Sequence, residues 1–86
     1  MKDSMHWAFW DKPVTIETAT PGQYRIVSSA AEAALLLLGE WPIDESEAFV
    51  TAKSMCLLAL EGTTPPEKAR EAFLAAATEA GVFVRA

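Results

Sequence analysis

The sequence SAAEAALLLLGEWPIDESE, residues 29–47, contains the end of one predicted helix and the start of the next. Ser29 followed three residues later by Glu32 is a capping box, which predicts a helix start. Gly39 predicts the end of this helix, because glycine is common just beyond a helix C-terminus. The proline that follows the tryptophan cannot continue a helix interior. We therefore expect a second helix, capped by Asp44.

The sequence after this joint predicts a third helix. Gly62 predicts the end of the second helix, in the same way as the earlier glycine. Thr64 with Glu67 predicts a capping box, and Pro65 suits the first helical turn. Gly81 predicts the end of the third helix.

Alternating apolar and polar residues predict strands on both sides of the helices. KPVTIET at 12–18 and YRIV at 24–27 are separated by a Pro-Gly turn, and together they predict a β-hairpin. VFV at 82–84 predicts a short C-terminal strand. Residues 1–12 leave two alternatives open, because they either extend the first strand or pack over the sheet. Residues 1–9 are expected to be the most loosely ordered part.

Length and composition predict a single packed domain over residues 1–86. A chain with 51% hydrophobic and 22% charged residues has enough apolar surface for one core and is not typical of disordered chains. The order β-β-α-α-α-β predicts an α+β fold, in which a short β-hairpin and a C-terminal strand pack with three helices. The longest apolar run, residues 33–38, is far shorter than the roughly 20 residues of a membrane span. We therefore expect a soluble, cytoplasmic protein without membrane contacts.

The net charge of −5 arises in residues 30–62, where Lys53 is the one base. The acids of this segment are Glu32, Glu40, Asp44, Glu45, Glu47 and Glu61. Binding to nucleic acid requires a cluster of Lys and Arg to neutralise phosphates, and the sequence contains no such stripe. An acidic chain is equally unsuited to an anionic membrane surface. The charge pattern therefore predicts no nucleic-acid partner and permits a basic protein partner.

The residue types that carry common chemistry are scarce. Cys56 and His6 are the only residues of their types, which excludes an internal disulfide and the usual zinc sites. Cys56 lies one helical turn from apolar residues on both sides, so we interpret it as core packing rather than a reactive thiol. No catalytic residue, cofactor site or metal site is predicted, and the chain is expected not to be an enzyme.

The first helix is apolar on nearly all sides, which predicts that it is covered on several sides, either by the sheet and its neighbours or by a second subunit. A small domain without a disulfide or metal is also marginally stable, and this favours a homodimer. Trp41 has two open roles, as a plug of the core or as an anchor of an interface. The residues of the candidate interface are Trp41, Leu35, Leu38, Phe49, Asp44, Glu45 and Glu47. The sequence thus predicts an interaction module that self-associates and docks an unidentified protein through its acidic Trp-Pro corner.

Arg70 is the candidate for either a structural ion pair or a ligand contact. It has Glu67 one turn earlier in the same helix, and it has the acidic residues 44–47 as more distant partners. In an alternative function, the chain is a small-ligand sensor or a minor enzyme with a pocket between sheet and helices. Arg70, Tyr24 and nearby acids would then supply the polar groups of that pocket.

Several segments of the chain resemble a known family. They are KPVTIE, SSAAEAALLLLGEWP, AKSMCLLALEG and PPEKAREAFLAAATEAGVFV, and the Trp41–Pro42 pair is among their most specific features. Together they are similar to the DUF982 family of small alphaproteobacterial, mostly rhizobial, proteins, over roughly residues 10 to 84. Because that family has no known function, the resemblance implies no reaction, ligand or catalytic residue.

Overall fold

The computed structural model describes residues 8–17, 22–39, 41, 46–82 and 84–85, and these form three strands and three helices. In chain order the elements are β1 (Phe9–Glu17), β2 (Tyr24–Ser29), α1 (Ala30–Gly39), α2 (Glu47–Leu60), α3 (Pro66–Glu79) and β3 (Val84–Arg85). The predicted order β-β-α-α-α-β and the α+β class are confirmed.

The three strands form one antiparallel sheet in the order β2-β1-β3, so the first strand of the predicted hairpin lies at its centre. Val14 of β1 faces Val27 of β2, and both side chains are buried. β1 begins at Phe9, which means that residues 9–12 extend the first strand, while residues 1–7 lie outside the described part. β3 is shifted towards the C-terminus relative to the predicted 82–84.

The helices cover one face of the sheet in two tiers. α1 contacts β1 and β2, and α3 contacts β1 and β3, whereas the main contacts of α2 are with α1 and α3. Phe73 of α3 and Cys56 of α2 are fully buried where these helices meet. α2 is therefore the outermost helix, and one of its faces is directed away from the core.

The start of α1 follows the predicted capping box with one change. The backbone N–H of Glu32 donates to Oγ of Ser29 at 3.1 Å, as expected of an N-cap serine. The Glu32 carboxylate accepts from the N–H of Ser28 at 2.7 Å, one residue earlier than in the standard capping box. The N–H of Ala30 donates to the carbonyl oxygen of Ala8 and so joins the helix start to the beginning of β1.

The prediction that Asp44 caps α2 is wrong, because the helix begins later than expected. Ser46 is the N-cap residue, and its Oγ accepts from the N–H of Phe49 at 3.0 Å. Asp44 itself lies outside the described residues.

The prediction that Thr64 caps α3 is also wrong. Pro65 occupies the N-cap position without a side-chain hydrogen bond, and Pro66 is the first helical residue. Proline at this position has no N–H to satisfy and has a φ already suited to a helix, so the start of α3 does not depend on a hydroxyl cap.

The predicted ends of α2 and α3 are confirmed and have the same geometry. Gly62 and Gly81 have φ angles of 80° and 76°, in the left-handed region that glycine adopts without steric cost. In each case the next residue donates its N–H across the helix end, from Thr63 to the carbonyl of Leu58 after α2. This is a Schellman motif, which satisfies the last carbonyl groups of the helix.

Candidate functional site

The core centres on three aromatic rings. The ring of Phe73 lies 5.8 Å from that of Trp10 and 5.4 Å from that of Trp41, measured between ring centroids. Trp41 is half-buried, and its indole N–H is buried without an acceptor among the described residues. The contact with Phe73 makes Trp41 a part of the core packing, while its exposed edge lies at the protein surface.

Two leucines of α1 project away from this core. Leu35 and Leu38 are 68% and 64% exposed, whereas Leu36 and Leu37 between them are buried. Consecutive residues of an α-helix are separated by about 100°, so four leucines in a row cannot all face the same side. α1 therefore supplies the core with one pair of leucines and presents the other pair to solvent.

α2 adds further apolar side chains to this exposed region. Val50 and Leu57 are 50% and 49% exposed, and they lie one turn before and one turn after Lys53. Lys53 lines a shallow surface depression together with Leu38 of α1. We define the helical surface as Leu35, Leu38, Val50, Lys53 and Leu57. The sequence indicated its α1 part. The apolar residues of α2 at helical spacing, Phe49, Ala52, Cys56 and Ala59, form its buried face as the sequence indicates, and Val50 and Leu57 lie outside that face.

Phe49 is not part of this exposed region. Its side chain is 4% exposed, and Nζ of Lys53 lies 4.9 Å from the centroid of its ring. This is the geometry of a cation–π contact, in which the ammonium group covers the ring from the solvent side. Phe49 is therefore a core residue that packs beneath Lys53 of the helical surface.

The acidic corner, defined as residues 40–47, is described only in part. Glu47 is the first residue of α2 and is exposed, in a position where a carboxylate interacts favourably with the helix dipole. Asp44 and Glu45 lie outside the described residues. A further acid, Glu61, is exposed at the C-cap of the same helix.

Arg70 makes a structural contact between α3 and β1. Its Nε donates to the carbonyl oxygen of Lys12 at 2.8 Å, a partner that neither sequence interpretation included. Glu67 lines the same charged depression as Arg70, together with Asp11 and Glu71. Tyr24, the other group of the alternative pocket, is exposed and pairs with Glu17 at the far end of β1. The structure therefore does not bring Arg70 and Tyr24 together.

Cys56 is a packed core residue, as predicted from its apolar neighbours. Its side chain is fully buried. Because burial disfavours the charged thiolate, the pKa of Cys56 rises from 9.0 to about 12. A thiol that stays protonated at neutral pH is a poor nucleophile and a poor metal ligand.

The described part of the chain contains neither a cluster of metal ligands nor a membrane-spanning helix. Among residues 8–17, 22–39, 41, 46–82 and 84–85, no three His, Cys, Asp or Glu side chains are grouped so as to hold a metal ion. None of the helices in these ranges has the length and apolar character needed to cross a membrane.

The chain is a small α+β domain that exposes apolar side chains on α1 and α2. Residues 12–84, most of the chain, match the family described as "Protein of unknown function (DUF982)". The chain belongs to this family, and the resemblance seen in the sequence is confirmed. No curated protein and no solved structure is similar enough to this chain to be matched.

Proposed function

We propose that this chain is a small, non-enzymatic interaction module that self-associates through the apolar faces of α1 and α2. The observation that carries the proposal is the exposure of Leu35 and Leu38 on α1 and of Val50 and Leu57 on α2, two helices that contact each other. Scattered exposed apolar residues are ordinary, but neighbouring ones on two adjacent helices form the kind of patch that marks interaction sites.

The energetics support association of modest strength. Complete burial of one Val or Leu side chain stabilises a complex by about 1.5–3 kcal/mol, and these residues are already partly covered within the chain. Association also costs several kcal/mol of translational and rotational freedom. A homodimer is therefore expected at micromolar concentration, and the dimer would be more resistant to unfolding than the isolated chain.

The acidic corner is proposed as a docking surface for a second, basic protein. Residues 30–62 have six acids and one base, and Glu47 presents one of these carboxylates to solvent. Complementary charges raise the rate of encounter and reject partners of the wrong sign more than they raise affinity. In this proposal the apolar residues provide the affinity and the acidic corner provides the selectivity.

Sedimentation velocity over a range of micromolar concentrations tests the self-association. The wild-type chain is expected to shift from monomer to dimer, and Leu38→Gln and Leu57→Gln are each expected to weaken the dimer by about tenfold or more. Leu58→Gln is the matched control, because Leu58 is also exposed and lies about 100° around α2 from Leu57. A wild-type chain that stays monomeric, or a control that weakens association equally, would contradict the proposal.

A further inference from the structure

Three successive turns of α2 place a base, an apolar residue and an acid along one side of the helix. Lys53, Leu57 and Glu61 are separated by four residues each, or about 6 Å along the axis. Glu61 keeps helical geometry at the C-cap, since its N–H donates to the carbonyl of Leu57 at 3.0 Å. Leu57 is thus the midpoint between two opposite charges.

We propose that the occupant of the helical surface is a second copy of this chain, with the two α2 helices antiparallel across a two-fold axis at Leu57. In this arrangement Lys53 of each copy pairs with Glu61 of the other. The proposal rests on the self-association proposed above, and it adds the geometry and the charge pairs that give it specificity.

The charge pattern is complementary to itself only in the antiparallel direction. Across a two-fold axis, a residue four positions before Leu57 faces the residue four positions after it. Lys53 therefore meets Glu61 twice, once on each side of the axis, and the two Leu57 side chains meet between the pairs. Parallel helices in register would place Lys53 against Lys53 and Glu61 against Glu61, which is unfavourable.

Other arrangements on the same surface bring like charges together or leave Lys53 without an opposite charge. A two-fold axis at Ser54 would place Glu47 opposite Glu61, a like-charge contact at both ends. A basic helix from another protein would suit the acids of residues 30–62, but it would bring a like charge to Lys53. Lys53 and Leu38 line the same depression, so the base lies next to an exposed apolar residue of the helical surface. A counterpart with an acid at this point fits best, and Glu61 of a second copy supplies it.

Charge reversal tests this geometry with the full chain. Lys53→Glu and Glu61→Lys are each expected to weaken the dimer by about tenfold, because two ion pairs are replaced by two repulsions. An equimolar mixture of the two variants is expected to form a heterodimer of wild-type affinity, since every pair in it is again of opposite sign. The double variant Lys53→Glu/Glu61→Lys is expected to associate as the wild type does.

Controls and outcomes separate this proposal from the broader one. Lys68→Glu changes the net charge by the same amount as Lys53→Glu, at an exposed position of α3, and is expected to leave association unchanged. Circular dichroism of each variant checks that the loss of the Lys53 contact with Phe49 does not unfold the chain. Failure of the mixture to restore association would overturn the two-fold geometry. Insensitivity to charge reversal, combined with loss of the dimer in Leu57→Gln, would overturn it too while leaving self-association intact. A monomeric wild type would overturn both.

Discussion

The surroundings of Phe73 and the outer side of α1 and α2 contain similar apolar residues, but these residues are buried in the first region and exposed in the second. Phe73 has a tryptophan ring on two sides and no exposed surface, whereas Leu35 and Leu38 are mostly exposed. Both regions come from helices rich in apolar residues. The difference shows that the hydrophobicity of a helix does not reveal which of its side chains stabilise the monomer.

The two regions should respond differently to the same kind of substitution. Removing a core side chain leaves a cavity, and this lowers the free energy of unfolding at any protein concentration. Removing an exposed leucine leaves no cavity and is expected to change monomer stability by less than about 0.5 kcal/mol. Its effect on association, by contrast, depends on concentration through mass action.

The largest effect is expected for Phe73→Ala. Loss of a fully buried phenylalanine costs about 3–5 kcal/mol, which is comparable to the total stability of a domain at about 0.05–0.15 kcal/mol per residue. Urea denaturation at low protein concentration measures the change, and partial or complete unfolding is expected. Phe73→Leu is the control, because it keeps much of the buried volume and should remain folded with a smaller loss. A change below about 1 kcal/mol for Phe73→Ala would contradict the assigned core.

The core was more predictable than the caps and the outer surface, for physical reasons. Turn glycines, alternation in the strands and helical spacing are local signals, and they predicted the element order correctly. The caps of α2 and α3 were missed because several Ser, Thr, Asp and Pro residues stand near each start and any of them is a plausible cap. The structure uses Ser46 for α2, a residue that the capping preference alone does not distinguish from Asp44.

The residues of the candidate site also fall into those that the sequence predicts and those that it does not. Leu35 and Leu38 were predictable because a run of four leucines must expose some of them. Val50 and Leu57 were not, because the helical spacing of apolar residues indicates the inner face of α2 but not which of its remaining apolar residues stay exposed. The Arg70 contact with Lys12 could not be predicted either. Its acceptor is a backbone carbonyl, which every residue type supplies, so the sequence does not indicate this partner.

Trp41 is half-buried and lies between the two regions, so its variants are expected to change the free energy of unfolding by an intermediate amount. Trp41→Ala is expected to destabilise the monomer by about 2–3 kcal/mol, because it removes a half-buried ring that packs on Phe73. Trp41→Phe should cost about 1 kcal/mol or less, since it keeps a ring and removes an indole N–H that is buried without an acceptor among the described residues.

Denaturation and sedimentation measured on the same Trp41 variants assign its role. A loss of stability in Trp41→Ala at unchanged dimer affinity would make this residue part of the core alone. A loss of dimer affinity at unchanged stability would instead place it in the interface, and its contact with Phe73 would then contribute little to the stability of the monomer.

Cys56 tests whether the buried side of α2 is as inaccessible as its outer side is exposed. The pKa of the thiol is about 12 in the folded chain and 9.0 as the reference value, so the unfolded chain releases this proton first as pH rises. The contribution of Cys56 to stability is therefore complete below pH 9.0 and is lost progressively between pH 9.0 and about 12.

Comparison of the wild type with Cys56→Ala isolates this contribution from that of the rest of the chain. Stability is expected to fall more steeply with alkaline pH in the wild type than in the variant. At neutral pH a thiol reagent should modify Cys56 only as fast as the chain opens, and addition of urea should accelerate the reaction. Rapid modification of the folded chain would show that the inner face of α2 is accessible. The distinction between its buried side and the helical surface would then fail.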